Sequence, residues 1–248
     1  MTTDGKRNTA LLIDADNASH AGIDAVLTVM AELGEVNIRR AYGNWRKQAL
    51  KGWVDKLHLY GIEPQQQFDM TKGKNATDMK MTIDAMDMLI GGRVNGFGIM
   101  SSDSDFMPLA MRLRQDGYPV YGFGSAKTPE AFKAACTRFI DVDALMRKDT
   151  PRSDKPAKTG EAKASNGTQE RGQVDDKLIG LLVDAYNASD RDERGFANMS
   201  QVGQRAGNRS SFDVRNYGFS RLSDLFEAVP NFQTERRDGN QLWVKRLR

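Results

Sequence analysis

Ala10-Leu11-Leu12-Ile13-Asp14-Ala15-Asp16-Asn17 is a short apolar run that stops on two carboxylates. Gly96-Phe97-Gly98-Ile99-Met100-Ser101-Ser102-Asp103-Ser104-Asp105 repeats the arrangement further along the chain. Apolar runs of this length that end in turn residues read as buried strands. The segments between them have other periods. Ala21–Leu33 sets Ile23, Val26, Leu27, Met30 and Leu33 at helical spacing and stops at Gly34. Glu35–Tyr42 alternates like a strand, Gln48–Tyr60 is helical again, and Ile62–Phe68 reads as a short strand. Thr77–Ile90 is a methionine-rich helix ended by Gly91-Gly92, its methionines read as core filler. A helix through Leu109–Leu113 and a strand at Pro119–Phe123 follow. This alternation predicts an α/β fold with a parallel sheet wrapped on both faces. No Gly-x-Gly-x-x-Gly follows the first strand, which argues against dinucleotide binding.

In such sheets ligands bind at the carboxyl ends of the strands, where strand order reverses. Asp14-Ala15-Asp16 and Asp103-Ser104-Asp105 fall at such ends, and they converge if the first and fourth strands are neighbours. Asp78, in the first turn of the Thr77–Ile90 helix, reaches the same edge. Carboxylates packed together raise one another's pKa, and a divalent cation relieves that conflict. Oxygen-only ligation suits Mg²⁺ or Mn²⁺, and such a cation assists phosphodiester displacement. Taken singly, each Asp is equally well explained as a cap or turn residue. Thr77 or Asn75 is the expected N-cap of the central helix, and Asp105 a candidate cap for the helix near Phe106. Asp84 and Asp87 do not share the face of Asp78; Asp87 reads as solvated and Asp84 as support for the site.

The joint pattern resembles the NYN family, a branch of the PIN-like nucleases. Leu11-Leu12-Ile13-Asp14-Ala15-Asp16-Asn17 is similar to its first motif. Lys74-Asn75-Ala76-Thr77-Asp78 with Ile83-Asp84-Ala85-Met86-Asp87 is similar to its central helix motif. Ser101-Ser102-Asp103-Ser104-Asp105-Phe106 is similar to its Ser-Gly-Asp-Ser-Asp-Phe motif, with Ser102 in place of glycine. The resemblance covers about the first 145 residues. It implies a Rossmann-like three-layer sandwich and metal-dependent cleavage of phosphodiester bonds, usually in RNA. Asp14, Asp78, Asp103 and Asp105 would hold the cation, Asn17 would orient a water or a phosphate oxygen, and Asp16 would face outwards.

Two basic stretches lie near these motifs. Arg39-Arg40-Ala41-Tyr42-Gly43-Asn44-Trp45-Arg46-Lys47 interleaves cations with aromatics, which suits phosphates and stacked bases. The alternative is that Tyr42 and Trp45 pack and the charges are solvated. Lys72 and Lys74 lie in a loop just before Asp78 and are candidate phosphate contacts.

Residues 147–173 contain no large apolar residue and read as a linker between a domain at 1–146 and another at 174–248. The second domain opens with a helix at Val174–Tyr186, followed by helices at Met199–Ala206 and Arg221–Ala228. Phe232–Leu247 alternates around Asp238-Gly239-Asn240, a hairpin signal. Helices followed by a hairpin describe a small winged helix-turn-helix. The order Val202-Gly203, Phe212, Tyr217-Gly218-Phe219, Leu222-Ser223-Asp224-Leu225-Phe226 and Trp243-Val244 resembles the OST-HTH or LOTUS domain. That resemblance implies binding of RNA or of a protein partner, or a homo-oligomer formed through this domain. Arg205, Arg209, Arg215, Arg221, Arg236 and Arg237 are its candidate backbone contacts.

Composition narrows the alternatives. The single cysteine of the chain excludes an internal disulfide and any cysteine-based zinc site. Two histidines, His20 and His58, are far apart in sequence, so the carboxylates must carry any chemistry. A net charge of +3 is only a weak pointer to nucleic acid. No apolar run is long enough to cross a bilayer, and the start of the chain lacks a secretory signal, so a cytoplasmic protein without membrane contact is expected. The leading expectation is a ribonuclease. A non-catalytic RNA-binding scaffold that keeps the fold is the alternative. A phosphatase of the haloacid dehalogenase type needs Thr or Val two positions past its second Asp, where this chain has Ala18.

Overall fold

The computed structural model describes residues 8–68, 76–148, 174–237 and 241–247. The chain divides into two compact units.

In the first unit, strands β1 (Asn8–Asp14), β2 (Glu35–Gly43), β3 (Glu63–Gln66), β4 (Gly96–Met100), β5 (Val120–Gly124) and β6 (Arg138–Asp141) form one sheet of order β3-β2-β1-β4-β5-β6. Every pairing is parallel. Parallel strands need crossovers, and helices supply them. These are α1 (Ile23–Leu33), α2 (Lys51–Tyr60), α3 (Ala76–Ile90), α4 (Met107–Gln115) and α5 (Glu130–Ala135), with α6 (Val142–Lys148) following the last strand.

The burial of β1 explains the layering. Ala10, Leu11, Leu12 and Ile13 are all fully buried, as a strand covered on both faces requires. Ala10 and Leu12 share a cluster with Met81, Ala85 and Met88 of α3, Leu109 and Leu113 of α4, and Phe132 of α5. Leu11 faces the other way. A Cβ added at Gly98 of β4 would meet Met30 Sδ of α1 at 2.8 Å and Leu11 Cδ1 at 3.1 Å, so α1 presses on that face. The result is the expected α/β sandwich. Gly61, with φ of +60°, ends α2 in the left-handed conformation, and Gly92 adopts φ of +59° just past α3. Cys136 is buried, and burial pushes its thiol up to about 12.

Several expectations need correction. The strand expected at Ile62–Phe68 is confined to Glu63–Gln66, and Phe68 is half exposed. Helix α5, strand β6 and helix α6 carry no clear signal in the sequence and extend the sheet to six strands. The central helix starts at Ala76, so Thr77 lies inside its first turn and does not cap it; Asn75 lies outside the described residues. Met81 and Met88 fill the core as expected, but Met79 is 66% exposed.

The second unit contains α7 (Asp176–Asn187), β7 (Ala197–Asn198), α8 (Met199–Arg209), α9 (Leu222–Ala228), β8 (Phe232–Arg237) and β9 (Gln241–Arg246). Asp175 caps α7, its Oδ1 accepting from Leu178 N at 2.8 Å. A Cβ at Gly203 would meet Leu222 Cδ2 at 2.4 Å, which explains the glycine where α8 and α9 approach. Phe232 packs edge-on against both Tyr186 and Phe226. The hairpin β8–β9 is joined by β7 into a three-stranded antiparallel sheet; β7 is too short for the sequence to reveal. The expected turn, residues 238–240, lies outside the described residues. So does the expected linker, apart from Arg147 and Lys148, which belong to α6.

Among the described residues no helix is long and apolar enough to cross a membrane. Leu12→Ala should lower stability by about 2–5 kcal/mol, since the side chain is fully buried between strand and helices. A urea midpoint unchanged from wild type would contradict this packing.

Candidate metal centre

The strand order reverses between β1 and β4, which pair in parallel with Ile13 opposite Met100. The residues just past that pair, Asp14 and Ser101, therefore emerge side by side into the crevice where ligands bind. Ser101 Oγ donates to Asp14 Oδ2 at 2.7 Å and accepts from Asp103 N at 3.0 Å. One buried serine thus ties the end of β1 to the Asp103 turn. Asp103 Oδ1 in turn accepts from Asp105 N at 2.9 Å and caps the short 3₁₀ turn Ser104–Phe106. The cap of this segment is therefore Asp103, not Asp105.

Asp78, in the first turn of α3, completes the group. One carboxylate oxygen from each of Asp78, Asp103 and Asp105 lies within 4.8 Å of the others. Asp78 is pushed up to about 6, chiefly by burial and then by the charges of Asp14, Asp103, Asp105 and Asp16. Asp14 is fully buried, and burial raises its pKa against the lowering effect of Ser101 and Asn17. Asn17 is close enough to draw the carboxyl down but completes no hydrogen bond to Oδ1. That oxygen is buried without a partner. An orphaned buried carboxylate oxygen beside three converging acids fits a divalent cation, and an all-oxygen donor set suits a hard one.

A groove of about 690 Å³ opens from this cluster, with Asp78 and Asp105 in its wall. Met79, Thr82 and Ile83 of α3, Ser104 of the 3₁₀ turn, Met107 and Pro108 of α4, and Ala131 of α5 line the rest. Met79 and Ile83 are the exposed apolar residues of this wall, and Met79, expected as core filler, lies open there instead.

Behind the cluster, Asp84 is buried and accepts from Tyr42 Oη at 3.0 Å, from Arg40 Nη1 at 3.3 Å and from Lys80 Nζ. Burial and the Asp84 charge push the Tyr42 hydroxyl far above its ordinary value. This network pins α3 to β2 and so fixes the helix that carries Asp78. Asp87 is exposed, as expected. Asp16 does not face outwards: it accepts from Thr77 Oγ1 and pairs with Lys47.

The basic residues divide. Arg39 spends its guanidinium on the carbonyls of Val36 and Tyr60, and Arg40 on Glu63 and Asp84. Trp45 Nε1 donates to the Gln65 carbonyl. Arg46 is exposed and lies 5.8 Å over the Phe68 ring. Lys47 reaches the rim of the acidic cluster through Asp16. Lys72 and Lys74 lie outside the described residues. Farther along the chain Arg209 and Arg236 are exposed, whereas the Nε of half-buried Arg205 is buried without a hydrogen-bond partner. Arg237 donates to Asp192 and Glu235 and lies 4.9 Å from the Phe196 ring and 4.5 Å from that of Trp243. It serves as a clamp within its own unit.

A parallel α/β sandwich with acids gathered at its switch point is the architecture of the NYN domain, a nuclease-family fold. The family model of the NYN domain matches residues 8–143, and the chain belongs to that family. The OST-HTH/LOTUS domain matches residues 172–244, a module associated with RNA binding. An uncharacterized protein of Methanocaldococcus jannaschii is 25% identical over 125 residues, covering 49% of this chain and 49% of its own length. The chain thus spans about half the length of that relative. A crystal structure of a protein of unknown function from Vibrio parahaemolyticus has a TM-score of 0.50 at 19% identity, covering 58% of this chain and 98% of that one. Its likeness extends to the fold.

The folded chain holds the Asp78 proton up to about pH 6, whereas an unfolded chain releases it near pH 4. More protons are bound in the folded state across that window, so the metal-free fold loses stability as pH rises through it. Asp78→Asn should therefore raise the thermal midpoint in EDTA at pH 7, by about 2–4 °C for each kcal/mol of burial cost and repulsion relieved. A lower midpoint for the variant in EDTA would contradict the repulsive cluster.

Proposed function

We propose that this chain is a metal-dependent ribonuclease whose OST-HTH/LOTUS domain recruits or positions the RNA. The observation that carries the reading is the convergence of Asp78, Asp103 and Asp105 beside the unpartnered Asp14 Oδ1. Mg²⁺ or Mn²⁺ is the cation that this donor set favours. When bound, it supplies Lewis-acid stabilisation of phosphoryl oxygens and a more acidic water. The division of labour runs along the chain, with the nuclease domain expected at 1–146 carried through α6 to Lys148, the stretch from there to residue 173 as a linker and 174–248 as the RNA-binding module.

The side chains do the remaining work. Asp14, Asp78, Asp103 and Asp105 hold the cation, with Ser101 fixing Asp14 and the Asp103 backbone relative to each other. Asn17, exposed beside Asp14, orients a water or a phosphate oxygen. Lys47 and Arg46, at the rim and on the adjoining surface, attract the backbone of the RNA. The groove walled by Met79, Ile83, Met107 and Pro108 receives an unstacked base next to the bond to be cut.

The test is incubation of labelled single-stranded, duplex and structured RNAs, and matching DNAs, with wild type and Asp103→Asn. Each is run with Mg²⁺, with Mn²⁺ and with EDTA. Cleavage should require the cation and fall by a factor of about 10² or more in the variant. Wild type that binds RNA but cuts nothing under any cation would replace this reading with that of a scaffold.

A further inference from the structure

The acid that the first motif adds after Asp14 is placed for a different task from the other four. Asp16 Oδ2 accepts from Thr77 Oγ1 at 3.1 Å, and Asp16 Oδ1 pairs with Lys47 Nζ at 3.1 Å. Its carboxylate side chain is only 19% exposed, Thr77 is buried, and a Cβ at Gly43 would lie 3.9 Å from Asp16 Oδ2. Both oxygens of Asp16 are thus engaged by groups of the chain, and Asp16 is not part of the trio of converging ligand atoms.

We infer that Asp16 is a latch and not a cation ligand: it fastens Thr77, and with it the first turn of α3, so that the adjacent Asp78 meets Asp103 and Asp105, while holding Lys47 at the rim. Thr77 immediately precedes Asp78, so a hydrogen bond that fixes Thr77 sets where the Asp78 carboxylate begins. Carboxylate oxygens within 4.8 Å of one another repel, and the latch opposes that push. The Lys47 ammonium offsets the charge that Asp16 adds to the crevice. Asp16 is therefore a positioning residue, and this inference rests on the cation site proposed above.

Calorimetric titration of the full chain with Mn²⁺ separates latch from ligand without any assay of cleavage. Asp16→Ala and Thr77→Val both remove the bond to α3, and each should weaken Mn²⁺ binding by roughly 10–100-fold, the usual cost of losing a residue that orients a ligand. Thr77→Ser keeps the hydroxyl and should restore wild-type affinity. Asp16→Asn keeps an oxygen acceptor for Thr77 and should stay within about threefold of wild type, as should Lys47→Met. Loss in Asp16→Asn with wild-type binding in Thr77→Val would make Asp16 a direct ligand and overturn the inference. Wild-type binding in every variant would overturn it too. If wild type itself binds no Mn²⁺, the cation reading fails, and the latch is judged by hydrogen exchange of the Lys80–Thr82 amides. Faster exchange in Thr77→Val than in Thr77→Ser supports it, and equal rates refute it.

Discussion

The pairing of β1 with β4 is the constraint on which the rest depends. These strands are separated in sequence by two others, yet they lie side by side at the centre of the sheet. The register leaves Asp14 and Ser101 adjacent at the strand ends, and the chain must turn outward there on both sides. Everything acidic follows from that placement. Asp103 and Asp105 lie in the turn that leaves β4, and α3 crosses back into β4 with Asp78 in its first turn. The cluster is an electrostatic liability created by good hydrophobic packing beneath it. Leu11, Leu12 and Ile13 make β1 too well buried to relax away from its neighbour.

The repulsive cluster is held from behind as well as below. Asp84 joins Tyr42, Arg40 and Lys80 in a network that attaches α3 to β2. A buried carboxylate with two cations and a phenol is costly to assemble and costly to break, since removing one partner strands the others. Ser101 performs the corresponding task between β1 and the Asp103 turn. The acids at the crevice are consequently held in a frame built by Ser101, Asp84 and their partners.

Much of this was legible in the sequence because the strongest signals are local. The apolar runs of β1 and β4 and the periodicity of α1 and α3 stand alone, and the paired carboxylates fall at strand ends by inspection. Less legible were elements with weak internal pattern. Strand β6 is four residues long with a charged residue at each end, and β7 has two residues. Residue roles set by distant partners were also hidden. Asp84 finds Arg40 and Tyr42 more than forty positions away, and Asp16 finds Thr77 sixty-one positions on. The same limit applies to charge. Arg39 and Arg40 look like a nucleic-acid stripe beside Arg46 and Lys47, but a strand alternates its faces and the fold turns both guanidiniums to internal acceptors. Arg237, read as an outward contact of the wing, lies against the two aromatic rings of its own unit.

The lone thiol has a practical side. Cys136 lies against Gly122, where an added Cβ would come within 2.6 Å of Sγ, and burial pushes its thiol up to about 12. At neutral pH it supplies almost no thiolate, and thiolate is the form that alkylating reagents attack. The buried thiol should therefore react slowly with maleimides while the chain is folded. A cysteine introduced on an exposed surface would react selectively, which makes this protein a ready host for site-directed fluorophores or spin labels without prior removal of a native residue.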